Sequence, residues 1–206
     1  DGSESTTYAS ISELRNSAPQ HLYVQYTATP YAPLLLEHDD MLLPEFVEFL
    51  TPGPSYVGGR EFFIDFHDVV VRPISDLDKQ KTDSLPAYLP ESLQTALGSF
   101  IAGASILLAE NMGEAPVSML VHSSQLVDVQ SHYHRLIKHL VNEWREVINS
   151  SISIDGLPKE IVSERERLVS NGVEDIDDKE FFEMVRYVLS EVTLWLVNSE
   201  SDQGSV

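Results

Sequence analysis

The sequence predicts an α/β fold: parallel sheet elements with flanking helices, interrupted by an irregular proline-rich insertion. Three observations carry that expectation. The runs at 117–122 (VSMLVH) and 192–198 (VTLWLVN) are almost wholly apolar, the pattern of a strand covered on both faces. Between them, 125–149 repeats its apolar residues at spacings of three and four, the period of an amphipathic helix. An apolar strand, a long helix and a second apolar strand compose a right-handed crossover in a parallel sheet.

Taken in order, the chain opens on a polar, loop-like start. Residues 10–17 form a short helix with Ile11 and Leu14 on one face. A β-rich strand at 21–26 (HLYVQY) stops at Pro30, which has no N–H to give a ladder. Residues 31–59 are irregular and rich in proline, with Gly58-Gly59 permitting a tight turn. At 61–71 (EFFIDFHDVVV) alternation predicts a strand, with Phe62, Ile64, Phe66 and Val70 tending to one face and Asp65 and His67 to the other. A charged loop, 73–86, leads to a helix at 91–111 introduced by Pro90. Gly98 and Gly103 inside that helix imply close packing on a sheet. The 125–149 helix carries the clearest stripe: Val129, Tyr133, Leu136, Ile137, Leu140, Trp144, Val147 and Ile148. Shorter helices follow at 159–170 and 179–189, and a polar tail closes the chain.

Charge and composition bound the function. Lys and Arg total 13 against 33 Asp and Glu, a net charge of −20. Affinity for nucleic acid rests mainly on cations that neutralise phosphates, so most of this surface should repel DNA. Acid of this kind keeps a domain soluble. Cysteine is absent, which removes disulfide and thiolate chemistry and suits a reducing compartment. The polar, acidic start lacks a secretory pattern and no apolar run approaches a bilayer-spanning length, so a cytoplasmic location without membrane contact is expected.

Few residue sets suggest chemistry on their own. Gly58, Gly59 and Arg60 could bring backbone amides and a guanidinium to a phosphate, although a turn with a surface arginine explains them as well. Asp65, His67 and Asp68 would need another carboxylate to hold a metal, and a solvent-facing strand edge is the simpler reading. His132 and His139 lie seven residues apart, about 10 Å along a helix, too far to share one ion. Asp177-x-Lys179 matches a nuclease pattern but lies in a polar turn. No metal site is expected. The nearest approach to a phosphate loop, GSFIAGAS at 98–105, has Ala104 where lysine must stand, and no Gly-x-Ser-x-Gly elbow occurs.

The most distinctive stretch is YTATPYA at 26–32, in which a β-rich run ends in Thr27-Ala28-Thr29-Pro30. It resembles motif III of superfamily II helicases. After it come Tyr31-Ala32, Leu42-Leu43-Pro44, then Pro54, Tyr56 and Gly58 ahead of Phe62-Phe63. Leu89-Pro90 with Ser92-Leu93 opens a helix, and SMLVHSS at 118–124 precedes Gln130. This ordered series resembles the Z-one domain family.

The resemblance implies the centre of a helicase-like ATPase with endonuclease-like, DNA-processing hydrolase activity. It implies an end of a first RecA-like lobe over 1–40, an irregular insertion over 41–90, and a helix with the start of a second RecA-like lobe over 91–206. Thr27 and Thr29 would couple hydrolysis to lobe motion, and His122, Ser123 and Ser124 would face the interlobe cleft. ATP, Mg and DNA would bind the full-length parent, because the phosphate loop and the family's acidic metal-binding pair are not recognisable here. The piece alone is expected to lack turnover and catalytic residues. The alternative is a non-catalytic interaction module, docking partner subunits through the proline-rich insertion and the acidic surface.

Overall fold

In the computed structural model, residues 5–18, 20–29, 35, 40, 42–74, 78, 85–111, 113 and 115–198 are described. They divide into two units, Asp1–Val57 and Gly58–Val206. In the first, Ser5 caps helix α1 (Thr6–Ser17), its Oγ accepting from the Tyr8 amide at 3.2 Å. The Tyr8 hydroxyl donates to Asp40 at 3.2 Å, and Arg15 lies over the Tyr23 ring at 4.9 Å. None of the described hydrophobic side chains in this unit is fully buried.

The second unit begins with a π-helical turn (Glu61–Asp65) and a short helix, α2 (His67–Val70). Its body is four longer helices: α3 (Glu91–Glu110), α4 (Val127–Ser150), α5 (Lys159–Ser170) and α6 (Asp178–Glu191). Helix α3 packs on α5 and α6, and α4 packs on α6. The α4 stripe delivers Val129, Tyr133, Ile137, Val141, Trp144 and Ile148 to the core, where α6 contributes Phe181, Phe182, Val185, Val188 and Leu189. Complete burial of a side chain the size of Phe181 contributes about 1.5–3 kcal/mol.

Local signals set the helix ends. Asp177 caps α6, its carboxylate accepting from the Lys179 and Glu180 amides at 2.9 and 3.0 Å. Helix α5 ends at Gly172, whose φ of +94° suits glycine. There Val173 N–H reaches Leu168 O and Gly172 N–H reaches Val169 O, satisfying the terminal carbonyls.

Buried charges fix the position of α5. Glu164 is closed off from solvent and accepts from Arg72 at 2.8 Å and from Arg167 at 2.7 Å. Burial pushes its carboxyl upward, but the two guanidinium groups together hold it below the usual range. Arg165, also buried, donates to Asp175 at 2.9 Å, to Asp178 at 2.7 Å and to the Ile176 carbonyl, while covering the Phe181 ring. Burial opposes its charge, and the two aspartates more than restore it.

The α/β expectation is overturned: the described residues hold helices and no strand. Among the described residues, 21–26, 117–122 and 192–198 form no ladder with any other segment. A strand exists only through its neighbours, and an apolar, β-rich composition does not supply them. Residues 61–71 instead close local hydrogen bonds, such as Phe66 N–H to Glu61 O at 2.8 Å. The parallel RecA-like sheet is therefore absent from the described residues. Gly98 does mark close packing, but against a helix: a Cβ there would stand 2.7 Å from the Glu160 carbonyl oxygen of α5. Helix α3 is also long and apolar enough to cross a membrane, the one such helix among the described residues. Its buried positions, from Leu97 to Leu108, belong to the core.

Candidate functional site

The buried stripe of α4 also forms part of the wall of a groove. Along α3 and α4 lies an apolar groove of about 750 Å³, a size common for binding sites. Its lining comes from Phe100, Ile101 and Ala104 of α3, from Tyr133, Ile137 and Trp144 of α4, and from Tyr187 and Val188 of α6. The remaining walls are two extended segments, 117–123 and 192–197. These carry large apolar side chains into solvent: Leu120 is 91% exposed, Trp195 74% and Val197 84%.

Arg145 of α4 positions the second wall. It donates to the Leu189 and Val192 carbonyls, each at 2.7 Å, and so pins the point where α6 gives way to extended chain. Gln130 positions the first, donating to the Ser124 carbonyl at 2.8 Å. Ser124 is buried, and its Oγ accepts from the Leu126 amide at 3.1 Å at the entry to α4. Two buried polar atoms beside the groove have no partner: Gln130 Oε1 and, one helical turn on, His134 Nε2. A buried polar group left unpaired costs about 1–3 kcal/mol, so these atoms mark a place where a ligand could supply hydrogen bonds. Burial pushes the Tyr133 phenol up.

The backbone of the two walls is equally open. Among the described residues, no hydrogen bond involves the backbone of 118–123 or 193–197. The groove therefore offers apolar surface, two rows of free amides and carbonyls, and two orphan side-chain atoms.

The model of the Z1 domain matches residues 92–205, which include the groove's lining residues and all of the four long helices except Glu91. The chain belongs to the Z1 domain family. No curated protein and no solved structure matches the chain.

The residues singled out in the sequence fall in several places. In the Z1 region, His122 and Ser123 line the groove, while Ser124 is occupied with the local bonds described above. Outside it, Thr27, Ala28 and Thr29 are exposed in the first unit. The Thr29 amide donates to Thr27 Oγ1 at 3.0 Å, a local turn contact. Pro30, Tyr31 and Ala32 lie outside the described residues. The Gly58 amide is taken by the Glu61 carboxylate at 2.8 Å, and this bond, with Glu61's own amide, holds that carboxyl below the usual range. Gly59 is exposed, and Arg60 faces Asp65 at 3.4 Å.

The remaining histidines and acids have structural partners. His67 pairs with Asp68 at 3.1 Å, His132 donates to the Pro86 carbonyl at 2.6 Å, and His139 lies 3.3 Å from Glu143. Asp177 is a helix cap and Lys179 supplies an amide to it. Among the described residues no three potential metal ligands gather.

Sequence reasoning passed over His134 as a functional residue, along with Leu120 and Trp195 as exposed side chains. Gln130 and His134 stand at i and i+4 beside the Tyr133–Ile137 stripe, a spacing that puts both on the edge of the buried face. Nothing local separates an exposed Trp195 from a buried one.

Proposed function

We propose that this Z1 chain is a protein-docking module of a larger DNA-processing assembly, and that its helical unit acts by binding rather than by catalysis. The single observation that carries this reading is the open groove rimmed by Leu120, Trp195 and Val197, apolar side chains of a kind enriched at interfaces when left in solvent. The charge of −20 supports it from another direction, because direct DNA contact would meet repulsion over most of the surface.

A second reading keeps the resemblance to helicase-like proteins. In it the parent binds ATP and Mg and moves along DNA through segments outside this chain, with Thr27 and Thr29 coupling hydrolysis to motion. The ordered motif series from Thr27 to Gln130 favours it.

Two variants of the full-length parent separate the readings. Docking expects Leu120→Asp with Trp195→Asp to abolish DNA processing while the protein stays folded by circular dichroism. It expects Thr27→Ala with Thr29→Ala to leave processing and ATP turnover unchanged. The reverse pattern would overturn docking and favour coupling.

A further inference from the structure

The groove is unusual in what it lacks. An apolar cavity for a small molecule is normally walled by side chains on backbone that is already hydrogen-bonded. Here two walls are extended chain, and among the described residues the amides and carbonyls of 118–123 and 193–197 make no hydrogen bond. An extended backbone with free edges is completed by another extended backbone, whose groups repeat at the same spacing. Its alternate side chains can enter the groove between α3 and α4. Gln130 Oε1 needs a donor, and His134 Nε2 can either give or take a proton, so a peptide offering both N–H and C=O suits the pair.

Charge selects among peptides. Among the described residues Glu191 is the only Asp, Glu, Lys or Arg side chain lining the cavity, and the chain as a whole carries −20. A strand flanked by Lys or Arg is attracted to this rim, and an acidic one is repelled. The same charge weighs against a second copy of this chain as occupant, since two chains of net charge −20 repel one another.

We infer that the groove takes an extended, apolar segment of a partner protein with basic flanks, which adds as a strand against 118–123 or 193–197. This inference rests on the docking reading above and specifies its occupant. The partner is recognised by backbone pairing and by apolar residues at alternate positions, with the basic flanks setting orientation and rate of encounter.

The test uses three labelled peptides and the full 206-residue chain, followed by fluorescence anisotropy. The first probe is Lys-Lys-Val-Thr-Val-Thr-Val-Lys-Lys. The second has glutamate at the four flanking positions. The third keeps the basic sequence but carries N-methyl groups on alternate amides, which removes donors from one edge while leaving the side chains intact. The basic probe is expected to bind at least about tenfold more tightly than either other, a difference of about 1.4 kcal/mol. Leu120→Asp and Trp195→Asp, both at exposed positions, are expected to weaken it by a similar factor with an unchanged helical spectrum.

Equal binding of the N-methylated probe would show an apolar docking groove that does not pair strands, overturning the inference while leaving docking intact. Equal binding of the acidic probe would overturn the basic-flank assignment. A reversible dimer of the free chain, abolished by Trp195→Asp, would make a second copy the occupant. Failure of all three probes to bind the folded chain, with no dimer, would overturn the inference and remove the support for docking as well.

Discussion

Replacing Gly98 by alanine tests the helical packing where it is tightest. A Cβ at this position would stand 2.7 Å from the Glu160 carbonyl oxygen, 2.8 Å from its carbonyl carbon and 2.9 Å from its Cβ. All three belong to the α5 backbone or its first side-chain atom, so no rotamer change relieves the contact. The helices must move apart, and overpacking of this kind costs about 1–3 kcal/mol. Against this, alanine in place of glycine within a helix gains about 0.5–1 kcal/mol. Gly103, on the same helix, supplies the control. A Cβ there meets only Leu168 Cδ1, at an ordinary 3.7 Å. Both variants share the propensity gain, so the difference between them isolates the steric cost of about 1–3 kcal/mol. At about 2–4 °C per kcal/mol for a unit of this size, the two melting temperatures should separate by roughly 2–12 °C, with Gly98→Ala the lower. Thermal melts by circular dichroism read this directly. Equal melting temperatures would refute the close α3–α5 approach on which the described core depends.

Three other perturbations follow from the structure. Glu164 has its carboxyl held low when folded, so its contribution to stability is full above the ordinary carboxylate range of about 4.3 and fades as pH falls through the depressed folded value. Glu164→Gln should cost about 1.5–3 kcal/mol at neutral pH, and melting temperatures of wild type and variant should converge as the medium is acidified. Asp177→Ala removes the carboxylate that receives two α6 amides and should cost about 1 kcal/mol in urea unfolding, with Asp177→Asn recovering most of it. Arg145→Met leaves the Leu189 and Val192 carbonyls without their donor; it should cost about 2 kcal/mol by the same assay and weaken binding of the basic peptide to the groove.

How much of this was readable from the chain depends on whether the information was local. The helices were legible because their signals lie within a few residues. The Val129–Tyr133–Ile137–Trp144 stripe gave α4 its buried face, Pro90 preceded α3, and the stretches 159–170 and 179–189 became α5 and α6. The sheet was misread because pairing is not local. VSMLVH and VTLWLVN have the composition of buried strands, and they are indeed extended, but composition does not say whether a neighbouring backbone is present. In EFFIDFHDVVV the alternation of apolar residues was real, yet hydrogen bonds within the stretch satisfied its backbone as a π-helical turn and a short helix. For the site, His122 and Ser123 were expected at an interlobe cleft and instead line this groove, and the orphan atoms of Gln130 and His134 appear only once the helices are packed.

Hydrogen exchange of the free chain, followed by mass spectrometry, tests the open groove most directly. The account requires amides of 118–123 and 193–197 to exchange at nearly the rate of unstructured peptide while those of α3 are protected, because the former have no partners and the latter are helical and buried. Protection of both segments to the level of α3 in the free chain would mean that their edges are already paired, and the strand-docking groove would not exist.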